Sequence, residues 1–365
     1  MMEMAKLIDI CDIQYGYAFD SACFTDDNSY PPLVRVRDVK RGFSETFYAG
    51  KYPEEYILHA GNLLIGMDGE FNIARWKSID ALLNQRVCKL VAKEGTNEEY
   101  LRFAMVKELK VIEDKTAFVT VKHLSAKELN KLELDMPSLE EQELRANSLV
   151  NIEKIISLRK EEIRQLDNLI KARFVEMFGD ENNSKNWDIV SVEEVTDVQV
   201  GVVIKPSQYY TDKANGVKAF RSLNIGAGYI KDVDWVCFTE EGHLKNSKSI
   251  LKENDLLIVR SGTPGTACVV TKEYEGYNAI DVIIAHPYCD KVNPYYLCYF
   301  TNMPHGKKQI DEGTGGAAQQ HFNVGKYNKL QLMLPPMRLQ DEFAAFVHQV
   351  DKSKFVKPKR AFYRQ

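Results

Sequence analysis

Hydrophobic positions along the chain fall into two kinds of pattern. "GNLLIGMDG" (61–69) and "NDLLIVRSG" (254–262) each hold an unbroken apolar run behind polar turn residues, with glycine close after it. Such runs predict short strands buried on both faces, because a half-exposed strand would alternate apolar with polar. "PEEYILHAG" (53–61) and "YLRFAMVKEL" (100–109) predict short helices. "SGTPGTA" (261–267) and "EGTGGAAQQ" (312–320) predict loops, since successive glycines gain nothing inside a regular element.

Mid-chain the spacing changes to threes and fours. Leu149, Ile152, Ile156, Ile163, Leu166, Ile170 and Met177 form one seam, with Arg159 and Arg173 in its two remaining slots. Ser138 with Glu141 three residues on, behind Pro137, reads as a capping box, and Gly179 suits a left-handed C-cap. These signals predict one helix of 40 residues, Leu139–Phe178, roughly 60 Å long at 1.5 Å per residue. So long a seam needs an apolar partner, and Leu339, Phe343, Phe346 and Val350 repeat its spacing near the end of the chain. That second pattern runs over 339–356, then fades, and Pro358 would break a helix.

The pieces before and after the long helix are alike. "DIQYG" (12–16) answers to "DVQVG" (197–201), and "RVRDV" (35–39) to "RSLNI" (221–225). The "LLI" runs answer to each other, as do Tyr100-Leu101 and Tyr296-Leu297. "KHLSAKELNKLELDMP" (122–137) answers to "QHFNVGKYNKLQLMLP" (320–335). The offset grows from 185 to 198 and the order never scrambles, which small loop insertions in a duplicated domain would produce. The expected fold is mixed α/β (α+β): two repeated globular domains, 1–137 and 180–336, separated by long antiparallel helices, 138–179 and 337–365, as a coiled-coil spacer.

Composition narrows the class without naming a function. Hydrophobic residues are 44% and charged residues 27% of the 365, an ordinary globular balance. No apolar run reaches membrane-helix length and no signal peptide is visible at the start, so a cytoplasmic protein with no membrane partner is expected. Seven cysteines, never spaced CxxC, read as reduced packing thiols without a zinc site. Net charge is −4, and neither repeat is basic: residues 1–136 hold 18 basic against 22 acidic groups, and 181–335 hold 16 against 18. Any nucleic acid must therefore be met by local clusters rather than by a global field.

The order of motifs resembles a known family. "PSLEEQ" and "PPMRLQDEF" opening the helices, with "RFVEMFGD" closing the central one, are similar to the specificity subunit of type I restriction–modification enzymes over nearly the whole chain. The resemblance implies that each half is a target-recognition domain for one part of a split site in double-stranded DNA. It implies that the helices fix the separation and dock two methyltransferase subunits, and that ATP-hydrolysing restriction subunits join them. S-adenosylmethionine, ATP and Mg would then belong to the partners, with no cofactor and no catalysis in this chain. The short distal pattern departs from the family, where both helices are of similar length; it leaves part of the seam open to self-association.

Rival chemistry is weak. "NPYY" (293–296) is like the amine-gripping motif of adenine methyltransferases, but its counterpart is "NEEY" (97–100), which makes it a helix start. No glycine-rich turn with a later acidic residue suits S-adenosylmethionine, and "SGTPGTA" lacks the ending of a P-loop. A duplicated protein-interaction module on a coiled coil is the alternative to DNA reading, with a self-contained methyltransferase behind it.

Candidate DNA contacts are the side chains able to meet base edges or phosphates. In the first repeat these are Arg35, Arg37, Lys40 and Arg41, then Lys122 and His123; in the second, Arg221, Asn224 and Arg260, then Gln319, Gln320 and His321. The two histidines occupy equivalent places and read equally well as hydrogen-bonded structural residues.

Overall fold

The computed structural model describes residues 4–115, 123–212, 216–313 and 322–354. The chain divides into two compact units, 1–159 and 160–365, and the central helix Leu139–Phe178 runs from one into the other.

Each unit is built on the same four-stranded antiparallel sheet. In the first, Cys11–Tyr15, Val87–Ala92, Leu63–Gly66 and Asn72–Arg75 lie side by side in that order. In the second the order is Thr196–Val200, Val282–Pro287, Leu256–Val259 and Ala267–Val269. The unbroken apolar runs fill inner strands covered on both sides. Leu63 and Ile65 face Leu101, Met105 and Leu109 of the helix Glu98–Lys115, while Leu64 faces a second cluster with Val34, Leu58 and Trp76. Leu256 and Ile258 likewise face Leu297 and Phe300, with Leu257 and Val259 turned toward Phe220 and Trp235. Alternate side chains of a strand point to opposite faces, so two covered faces demand apolar residues at every position.

The duplication extends to single hydrogen bonds. Gly16 N donates to Val87 O at 3.0 Å, and Gly201 N to Val282 O at 2.9 Å. At both glycines the chain crosses so close that an added Cβ would stand 2.0 Å from Asn84 O or 2.4 Å from Ala279 O. No larger residue fits either place.

The two spacer helices start from the same lock. Buried Gln142 accepts from Asn97 N at 2.9 Å and donates to Pro137 O at 2.9 Å; buried Gln340 accepts from Asn293 N at 2.8 Å and donates to Pro335 O at 2.7 Å. Tyr100 and Tyr296 donate their hydroxyls to Asp135 O and Met333 O. This settles the role of "NPYY" in the fold: Asn293 caps the helix Pro294–Asn302 by accepting from Tyr295 N, and Tyr296 is fully buried.

The long helix has the expected bounds, with Gly179 at φ +89° behind it and Glu141 N donating to Ser138 Oγ at 3.4 Å. The distal helix, Met337–Lys354, begins two residues earlier than the pattern suggested. The two run antiparallel: Phe343 meets Phe174 and Phe178, Phe346 lies under the Arg173 guanidinium, and Lys354 Nζ pairs with Asp167 at 2.7 Å. Leu166, Ile170, Met177, Leu339, Phe343, Phe346 and Val350 of the predicted seam join this core. Leu149, Ile152, Ile156 and Ile163 do not; they are exposed. The end of the central helix is buried on two sides, so its buried line runs Ile170, Phe174, Phe178 at four-residue steps rather than along one heptad stripe.

One expected helix is absent. "PEEYILHAG" forms a single 3₁₀ turn, Glu54–Tyr56, followed by the strand Ile57–Leu58. Leu58 pairs with Ala81 and enters the core there, and that tertiary pairing overrides a weak local helix preference.

Candidate nucleic-acid interface

The first unit gathers polar side chains from three loops around one open groove of about 660 Å³. Its first wall is the short helix Val36–Arg41, closed by Gly42 at φ +80°. Asp38 anchors that helix: it is 1% exposed, accepts from Arg35 N at 3.0 Å, and receives the Ser44 hydroxyl at 3.2 Å. Burial pushes the Asp38 carboxyl above its ordinary range, against the opposing pull of Ser44, Arg37 and Arg41. Arg35 donates to the Thr46 hydroxyl, so it fixes the wall as much as it lines it. Arg37 and Lys40 extend into solvent, 60% and 69% exposed, with Lys40 3.2 Å from Glu70. Arg41 does not line the groove and pairs with Glu45 at 3.6 Å.

The other walls are the turn carrying Asp68, Glu70 and Asn72 and the turn of residues 84–86. Arg86 sits in the left-handed region at φ +72°, 3.6 Å from Asp68. His123 is held between them, its Nδ1 2.6 Å from Asp68 and its ring 3.0 Å from Arg86 Nη1. Four basic and two acidic side chains line the groove, so its local charge is positive inside an acidic unit. Sequence reading missed Arg86 and its neighbours Asn84 and Gln85. Their signal was a polar triple between two apolar runs, "ALLNQRVCKLV" (81–91), which marks a tight turn presenting three side chains.

The second unit differs at the same places. Arg221 N donates to Asn224 Oδ1, as Arg35 N does to Asp38, and the Arg221 guanidinium donates to Asp234 O. Asn224 is fully buried and donates to Val233 O at 2.6 Å, so in this structure its amide closes a loop instead of facing solvent. Arg260 is spent similarly, donating to Asp281 at 2.5 Å and to Phe322 O at 3.3 Å. The turn at 280–281 is one residue shorter: Ala279 takes the strand position of Leu83, and Ile280 and Asp281 stand where the first copy has Asn84, Gln85 and Arg86. Lys122, Gln319, Gln320 and His321 lie outside the described residues.

Nothing among the described residues assembles a reactive centre. They contain no cluster of metal-binding side chains. His286 is hydrogen-bonded at both nitrogens, to Asp255 at 2.5 Å and Gln199 at 2.7 Å. Burial pushes the thiols of Cys11, Cys88 and Cys298 up to about 12, as fits packing residues. No described helix is long and apolar enough to cross a membrane.

The chain matches the family described as "Type I restriction modification DNA specificity domain" twice, over residues 1–168 and 184–360. It belongs to that family. The two matches coincide with the two copies of the sheet, so the duplication seen in the hydrogen bonds is the family's own unit repeated. Among similar specificity-family proteins, the type I restriction enzyme EcoBI specificity subunit of Escherichia coli is 26% identical over 366 aligned positions, covering 93% of this chain and 77% of the relative. The MjaVIII specificity subunit of Methanocaldococcus jannaschii is 22% identical over 344, covering 88% and 79%. The crystal structure of a type I restriction–modification S subunit from M. genitalium shares the fold, with a TM-score of 0.57 at 14% identity over 97% of this chain and 90% of that one. The family gives this chain a specificity role rather than a catalytic one.

Proposed function

We propose that each unit reads one part of a two-part DNA target, and that the central and distal helices dock the methyltransferase subunits that modify it. The observation that carries this reading is the positive groove of the first unit, where Arg37, Lys40 and Arg86 converge on one opening in an otherwise acidic domain. Arginine forks onto guanine O6 and N7 and lysine meets phosphate, so such a rim suits a base edge flanked by backbone. The equivalent turn of the second unit is one residue shorter and offers Asp281, paired with Arg260, in place of Gln85 and Arg86, as two dissimilar half-sites would require. Methylation, and cleavage by restriction subunits, belong to the partners, which bind S-adenosylmethionine, ATP and Mg. The test is single-molecule sequencing of host DNA methylation with the gene present and deleted. Loss of one gapped, two-part N6-methyladenine motif on deletion supports the reading; an unchanged methylome counts against it.

A further inference from the structure

Each copy carries one charged side chain on a left-handed turn residue and leaves its end in water: Arg86 at φ +72° in the first unit, Asp281 at φ +48° in the second. The backbone does not ask for either residue, since glycine takes such a φ without cost. Both backbones are fastened, Arg86 O accepting from Met67 N at 2.9 Å and Asp281 N donating to Val202 O at 3.2 Å. The side chains are fastened too. Arg86 is held by Asp68 at 3.6 Å and by the His123 ring at 3.0 Å. Asp281 is held by Arg260 at 2.5 Å, and Arg260 itself donates to Phe322 O at 3.3 Å. What differs is the member of the pair that faces out. Arg86 is 52% exposed against 33% for Asp68, whereas Asp281 is 46% exposed against 16% for Arg260. The first unit thus presents a fixed fork of donors, and the second a fixed acceptor.

We propose that these two residues each set one G·C pair of the target: Arg86 reads the guanine of one half, and Asp281 reads the amine of a cytosine in the other. The inference rests on the reading of this chain as a DNA-recognition subunit and deepens it to particular bases. A guanidinium matches the O6 and N7 acceptors of guanine, and a carboxylate accepts from cytosine N4. Adenine also offers an amine, but its neighbouring N7 acceptor repels a carboxylate. A lone carboxylate would be repelled by DNA phosphates as well, and the Arg260 charge paired with Asp281 offsets that repulsion. Base reading needs donors of fixed direction, which separates Arg86 from Arg37 and Lys40. Those two extend from a helix into solvent and suit phosphate. Asp68 is then a positioning residue, aiming the Arg86 fork without touching the base.

The test maps the methylated motif in cells carrying the unaltered gene, Arg86→Lys, Asp68→Asn or Asp281→Ala. Arg86→Lys keeps the charge and loses the fork, so discrimination at one G·C pair of one half is expected to fall at least tenfold. Asp281→Ala is expected to do the same at one G·C pair of the other half. Asp68→Asn should relax the position that Arg86→Lys relaxes, to a smaller extent; a uniform fall in methylation would make Asp68 merely structural and overturn its assignment. Duplexes of the mapped motif then carry 7-deazaguanine or N4-methylcytosine at those positions. The unaltered chain, assembled with its methyltransferase subunits, should methylate each analogue at least tenfold more slowly, and this measurement needs no variant to fold. Relaxation at an A·T pair or at no pair, or indifference to both analogues, in a motif that still depends on the gene overturns the proposal alone. A methylome indifferent to deletion of the gene defeats the underlying reading instead.

Discussion

The turns at 84–86 and 280–281 leave equivalent points of the two sheets, the second shorter by one residue. Gly16 and Gly201 cross behind them at the same point, and Arg86 and Asp281 share the left-handed conformation. In the first copy the turn is Asn-Gln-Arg and opens onto a positive groove; in the second it is Ile-Asp, with Ile280 buried and Asp281 holding Arg260. In both copies an ion pair crosses here, with its polarity reversed: Asp68 to Arg86 in one, Arg260 to Asp281 in the other. The lesson is a division of labour. Backbone crossings, buried strands and glutamine locks repeat because they make the fold, whereas this turn differs in length and in use, lining a groove with Gln85 and Arg86 in one copy and burying Ile280 in the other.

The sharpest way to break this comparison is to remove what one copy has and the other lacks. Phe178→Ala should destabilise the second unit by about 3–5 kcal/mol, as expected for emptying a buried aromatic site. Leu149→Ala, at an exposed position of the first, should cost under about 1 kcal/mol. Urea unfolding of the two variants checks this, and equal losses would mean that Leu149 is packed as firmly as Phe178.

What the copies share should respond alike. Gln142→Ala and Gln340→Ala each leave a part-buried backbone N–H without its acceptor, at a cost of about 1 kcal/mol. Hydrogen exchange at Asn97 and Asn293 should speed up in the matching variant alone. Loss at only one of the two sites would deny the shared lock.

The smallest expected effect is a pH dependence in the second unit. His305 Nε2–H donates to Gly179 O at 3.1 Å, while its Nδ1 is buried without a partner. Burial therefore holds its pKa below the ordinary 6.5, against the raising influence of that carbonyl, Glu181 and Asp180. The folded state resists a proton that the unfolded state accepts, so this contribution is complete above pH 6.5 and is lost as pH falls below it. His305→Gln should flatten the stability of the second unit across pH 7 to 5.5. An unaltered slope would place the titration elsewhere.

Much of the fold was legible because its signals are local or repeated. The central helix shows in three- and four-residue spacing and its two caps, and the duplication shows in ordered matches that pairwise chance would scramble. What was illegible depends on where hydrogen bonds go in three dimensions. Asn224 and Arg221 look like a recognition pair, yet the amide closes a loop onto Lys231 and Val233. Glu54, Glu55 and Tyr56 open a helix-like stretch, but Leu58 is drawn into pairing with a strand more than twenty residues on. Arg86 escaped notice because a single arginine in a short turn carries no periodicity; only the folded sheet sets it against Asp68 and His123.

On the proposed function, the two copies read separate parts of one target. Its most direct test is single-molecule mapping of N6-methyladenine in cells whose only change is Arg37→Gln with Arg86→Gln in this chain. The predicted result is a motif relaxed or altered in one half, with the other half and the gap between them unchanged. Simultaneous loss of both halves by a folded, assembled protein, or a motif wholly unaffected, would contradict it.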